Sequence, residues 1–143
     1  MSSVNKLLKD EIKLLERKAE ENKLWLERDS FNLNTALNNS KFNTEGLEFI
    51  FDENHNITNY TSVMQSFSAK LNAMYNTADS ISNEGERDRY IANVLEPYEE
   101  WIDEVLRLIE VYEDTVQVGE ETANSVADYW NEWQSNNAEA LNL

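Results

Sequence analysis

The chain has 143 residues, 28 acidic against 12 basic side chains, a formal net charge of −16, one Pro, three Gly and no Cys. The lack of cysteine excludes disulfides, thiolate zinc sites and cysteine nucleophiles, and the acidic surplus disfavours direct duplex binding, which needs a basic patch. Scarce Pro and Gly let helices run long, and a mean hydropathy of −0.67 with 41% hydrophobic residues suits amphipathic helices with a large surface.

The first predicted element is a helix from about residue 4 to 42. Leu8, Ile12, Leu15, Ala19, Leu26, Leu33 and Ala36 or Leu37 keep a heptad register along it. Asn22 and Asp29 interrupt that seam at core spacing, where a polar residue either fixes register or simply faces water. Between Asn32 and Asn43 the text becomes rich in Asn, Ser and Thr, whose side chains compete for backbone hydrogen bonds. The helix should weaken there and end near Asn43 or Gly46.

Alternation then replaces the helical period. Leu47 to Phe51 and Ile57 to Tyr60 read as extended segments around the turn formers Asp52 to Asn56, which predicts a small β-hairpin at about residues 48–60. Phe49, Phe51 and Ile57 would bury one face of it against helix ends. Asp52, Asn54 and Asn56 have the spacing that opens an EF-hand loop, but Ile57 stands where Gly is needed and Val63 where Glu is needed. The turn itself accounts for these residues, and His55 is expected as a solvated loop residue.

A second helix is predicted over about 61–82, capped by Asn59 or Thr61, with Val63, Met64, Phe67, Leu71, Met74, Ala78 and Ile81 on its apolar face. Ser82 or Asn83 caps a third, long helix over about 86–133. Its stripe runs through Ile91, Val94, Tyr98, Trp101, Val105, Leu108, Tyr112, Thr115, Gly119, Thr122, Val126, Tyr129 and Trp133, with a second row at Leu95, Ile102, Ile109 and Val116. Pro97 should kink or break this helix, Gly119 should weaken it, and the polar tail from Gln134 should fray.

Charge is unevenly placed. Residues 1–28 hold seven basic groups (Lys6, Lys9, Lys13, Arg17, Lys18, Lys23, Arg28) against six acidic ones, whereas residues 96–143 hold thirteen acidic groups and Arg107 alone. Packing the first segment beside the last would lower the repulsion, so they are expected to be neighbours. No stretch approaches the roughly 18 apolar residues of a membrane span or forms the apolar core of a signal peptide.

The passage Phe49 to Tyr60 resembles a short hairpin recurrent in the tail tape measure proteins of long-tailed bacteriophages and prophages, where it links long helices. Gly commonly occupies there the position of His55. Leu71 to Asn76, Tyr98 to Glu104 and Tyr112 to Thr115 look like that family's later helices, so the resemblance covers roughly residues 5–118. It implies a structural segment of a rod inside the tail tube, whose helical length sets tail length. It implies several copies associating through their helices, contacts with tail tube, tail tip and tail chaperone proteins, and a place in the virion tail after synthesis in the host cytoplasm. As one straight helix the chain would span only about 215 Å, short for that family, which suggests a segment or a small relative.

The expected class is mainly α: one elongated helical bundle or coiled coil over residues 1–143 with one small hairpin. Its packing and oligomer seam is Leu8, Ile12, Leu15, Leu26 and Leu33, then Tyr98, Trp101, Val105, Leu108 and Tyr112. No catalytic, cofactor or metal residues are expected, because no Glu-x-x-His pair or Gly-rich phosphate loop occurs and the lone His makes a triad improbable. The alternative is a small acidic helical module that binds a basic partner or imitates DNA, with Glu99, Glu100, Asp103, Glu104, Glu110, Glu113 and Asp114 as the charged face.

Overall fold

The computed structural model describes residues 3–137. Four α-helices account for most of them: α1 (Ser3–Leu37), α2 (Tyr60–Ser80), α3 (Glu84–Tyr90) and α4 (Glu96–Asn136). A 3-10 turn, Ser40–Phe42, follows α1, and a π-helical turn, Ile91–Leu95, joins α3 to α4.

α1 stops at Leu37, short of the expected end near residue 42. The Thr44 hydroxyl reaches back to donate to the Leu37 carbonyl (2.6 Å) and accepts from the Asn39 amide (2.9 Å), satisfying groups the helix leaves open at its end. Asn39 then caps the 3-10 turn, its side chain accepting from the Lys41 amide. Asn43 and Gly46, at φ 59° and 83°, turn the chain through the left-handed region.

The expected β-hairpin at 48–60 is not there. Among the described residues no strand forms, and a single antiparallel bridge pairs Phe51 with Ile57. The Thr58 amide donates to the Ile50 carbonyl (2.8 Å) and the Asp52 amide to the Asn56 carbonyl (2.9 Å) around that bridge, and side-chain amides supply further pairing. Asn34 Oδ1 accepts from the Phe49 amide (2.8 Å), Asn59 Oδ1 accepts from the Ile50 amide (2.8 Å), and Asn59 Nδ2 donates to the Glu48 carbonyl (2.9 Å). Asn59 is therefore spent on this loop and makes no side-chain cap to α2.

α3 begins at Glu84 with Asn83 as its cap, accepting from the Glu86 amide (3.0 Å). Pro97 is the second residue of α4, directly after the π-helical turn, and the helical backbone passes its missing amide without a break. The preceding turn widens to π geometry, and the Glu96 amide donates to the Ile91 carbonyl five residues back. α4 runs through Gly119 without interruption to Asn136; residues 138–143, the end of the tail expected to fray, lie outside the described residues.

The chain's contacts group it into two compact units, Met1–Asp29 with Val111–Leu143 and Ser30–Glu110. In the first, the opening part of α1 and the closing part of α4 form an antiparallel pair, with Asn22 beside Thr115 and the Lys9 amine 5.1 Å from the centre of the Trp133 ring. In the second, Phe42, Met74, Leu95 and Tyr98 form a buried cluster flanked by Leu71, Ile91, Trp101 and Ile102. Phe42 meets Tyr98 edge-on at 5.3 Å and Phe67 meets Trp101 edge-on at 5.2 Å, the favourable geometry for ring quadrupoles.

Candidate helix-packing seam

Eight of the ten seam residues read from the sequence are buried. Leu8, Ile12, Leu15, Leu26 and Tyr112 lie in the first unit; Leu33, Tyr98 and Val105 lie in the second. Trp101 and Leu108 are half-buried. Ile109 from the second row is buried where Leu108 was expected, because two helix faces are covered there and the stripe is wider than one heptad seam. Trp101 gains its orientation from a polar contact, its indole N–H donating to the Ala36 carbonyl at 2.9 Å.

The two polar interruptions of the seam turn inward. Asn22 and Asp29 are only 9% and 6% exposed. Asn22 Nδ2 donates to the Thr115 carbonyl at 2.9 Å, and Asp29 Oδ2 accepts from the Thr115 hydroxyl at 2.7 Å. That hydroxyl also lies 3.0 Å from the Val111 carbonyl, but it carries one hydrogen, and the shorter, charge-assisted contact to the carboxylate takes it. Arg28 Nη2 stands 3.5 Å from Asp29 Oδ1, while its guanidinium lies 3.9 Å from the centre of the Trp25 ring.

Gly119 completes the arrangement. A Cβ built on it would lie 2.3 Å from Asn22 Oδ1, so the bare backbone is what lets the Asn22 amide reach α4. The periodicity marked Asn22, Asp29, Thr115 and Gly119 individually. Their convergence is a matter of how far α1 is advanced along α4, which no single-helix pattern contains.

The opposite charges of the two helix segments are not resolved into ion pairs. Among the described residues the salt bridges are local: Lys23 with Glu20, Arg28 with Asp29, and Arg107 with Glu104. Arg107 grips Glu104 through two nitrogens at 3.0 and 2.6 Å, and that hydrogen bonding holds the Glu104 carboxyl below its usual range. Glu99 accepts from the Tyr75 hydroxyl at 3.0 Å, which pushes the phenol up. Of the seven carboxylates on the predicted charged face, these two have protein partners and the other five are exposed.

In the loop, Asp52 Oδ1 accepts from the Asn54 and Asn56 amides at 2.8 and 2.9 Å, the turn closure expected of the EF-hand-like spacing. His55 adopts φ 67°, a left-handed conformation. Among the described residues no three His, Cys, Asp or Glu side chains gather to hold a metal, and no helix is long and apolar enough to cross a membrane. No family model matches the chain, and neither a curated protein nor a solved structure matches it.

Proposed function

We propose that the chain is a non-enzymatic structural protein that acts through the spacing of its helices, as a segment of a phage tail tape measure. The observation that carries this reading is the Asn22–Thr115–Asp29 cluster with its Gly119 notch. Burying an amide and a carboxylate in an apolar seam costs stability, and the best-attested return for that cost is a single register. A part whose dimensions are its function has to hold its helices at one register. A left-handed His55 supports the resemblance as well, since the similar hairpins commonly carry Gly there.

The partners follow from the same reading: further copies of the chain through helix faces, and tail tube, tail tip or tail chaperone proteins in the virion. Exposed Leu7, Leu14, Leu24 and Trp25 on α1 offer such copies an apolar surface beyond the pair already formed. The acidic-module reading is less favoured, because Glu99 and Glu104 are committed within the chain.

The decisive experiment lengthens the helices. Inserting one heptad into α1 and a matching heptad into α4 of the encoding phage or prophage should lengthen the tails by about 10 Å per heptad, read by electron microscopy. Tails of unchanged length overturn the ruler. Sedimentation equilibrium of the purified chain should show self-association; a monomer throughout overturns that part.

A further inference from the structure

One flank of the helix pair in the first unit is apolar and uncovered. A groove of about 310 Å³ runs there between α1 and α4, with Trp25 and Arg28 on one rim and Val111, Asp114 and Val118 on the other. Its floor is Asn22, Asp29 and Thr115, whose bonds are made with one another inside the pair. Trp25, Val111 and Val118 are all exposed. Leu14 and Leu7, also exposed, stand eleven and eighteen residues before Trp25, each close to a whole number of helical turns. The three therefore fall on one line along α1. Large apolar side chains gathered on one face in this way, unlike single ones scattered over a surface, mark a place where a partner sits.

Charge points to the partner. Over residues 3–28 α1 carries seven basic groups against six acidic ones, and over residues 111–136 α4 carries six acidic groups and no basic one. Lys18, one heptad before Trp25, and Asp114, on the opposite rim, are exposed and make no ion pair or hydrogen bond among the described residues. The flank thus presents a basic helix and an acidic helix side by side, with charges of both signs unspent.

We propose that a second copy of the chain covers this groove. A twofold axis parallel to the helices relates the two, so that α1 of each copy lies antiparallel on α4 of the other and Trp25 of each packs against Val111 and Val118 of the other. The inference rests on the self-association proposed above and adds the face and the orientation. A twofold axis across the helices would instead set α4 on α4, six carboxylates facing six, and α1 on α1. With a net charge of −16 on each copy, the arrangement that opposes each acidic helix to a basic one is favoured. The same patch is used on both copies, so the assembly closes as a dimer.

Sedimentation equilibrium of the full chain and two of its variants tests the face. Val118→Lys should weaken the dimer at least about tenfold, whereas Leu24→Lys, about 100° round α1 from Trp25, should change it less than about twofold. Both positions are exposed, and circular dichroism checks that both variants fold. Single cysteines in a chain that has none test the orientation. Glu21, one heptad after Leu14, and Glu121, one turn after Val118, are exposed. Glu21→Cys chains mixed with Glu121→Cys chains should form the crossed disulfide dimer on mild oxidation in preference to either like-with-like dimer. A dimer unaffected by Val118→Lys, or disulfides that are mainly like-with-like, overturns this pairing and leaves self-association standing. A parent chain that is monomeric up to about 0.5 mM overturns both, while the ruler stands or falls on tail length.

Discussion

Asn22 and Gly119 are a matched pair: the side chain of one occupies the volume that a side chain on the other would need. Gly119→Ala should raise local helix propensity by about 1 kcal/mol, yet its Cβ would meet Asn22 Oδ1 at 2.3 Å and force it off the Thr115 carbonyl. Overpacking of this kind costs about 1–3 kcal/mol, so urea denaturation should show a net loss. The Asn22→Ala/Gly119→Ala double variant should be more stable than Gly119→Ala alone, and a Gly119→Ala chain more stable than the parent would refute the notch. Thr115→Val tests the other half of the cluster. It preserves shape but takes the hydroxyl from a carboxylate that is 6% exposed, at an expected cost of about 1.5–3 kcal/mol in the same assay. The heptad period located Asn22 and Asp29, but it gives the same spacing whether a polar residue locks a seam or faces water. Only the partner helix distinguishes the two.

The loop between α1 and α2 is held by amide side chains together with a few backbone bonds across its turn. Asn34 and Asn59 supply the acceptors that a second strand would have supplied to Phe49 and Ile50. Alternation at Leu47 to Phe51 was legible as an extended segment, and Ile50 and Phe51 do meet backbone across the turn, but Phe49 is held by a side chain 15 residues earlier, on a helix, and alternation carries no trace of that. Asn34→Leu should therefore cost about 1–3 kcal/mol by leaving the Phe49 amide unpaired, measured by urea denaturation followed through circular dichroism. A variant as stable as the parent would mean that the loop is held by packing alone. The helices were easier to read because their apolar periods are long, whereas their ends depended on distant groups such as Thr44 on Leu37. Acid should open the same loop. The Asn56 and Asn54 amides hold the folded Asp52 carboxyl below its ordinary value. Its contribution is thus in full force above that ordinary value and is lost as pH falls through the lowered one. The Asn54 and Asn56 amide resonances should stay constant near neutrality and move with a midpoint below the usual aspartate range. A midpoint at or above that range would contradict the turn.

Across the whole chain, charge and apolar burial are distributed differently, and each distribution has a measurable consequence. With a net charge of −16 and ion pairs that are largely solvent-facing, repulsion outweighs attraction, and added salt screens the repulsion. The thermal midpoint should therefore rise between low salt and about 0.5 M NaCl. A fall would mean that attraction between the basic start of α1 and the acidic end of α4 dominates. Burial separates the two units. Ser30–Glu110 buries Phe42, Phe49, Phe67 and Tyr98, whereas the helix pair of the other unit buries Leu8, Ile12, Leu15, Leu26 and Tyr112 together with Asn22 and Asp29. Each fully buried large apolar side chain contributes roughly 1.5–3 kcal/mol, and the polar pair contributes less than apolar residues in its place would. Sub-global opening should accordingly begin in the helix pair. α4 passes through both units as one helix, so it reports on both within a single element. Native-state hydrogen exchange should find the amides of residues 98–109 more protected than those of 122–133, with the difference shrinking as urea approaches the global transition. Uniform protection along α4 would show that the polar register lock ties the pair as firmly as the aromatic core ties its neighbour.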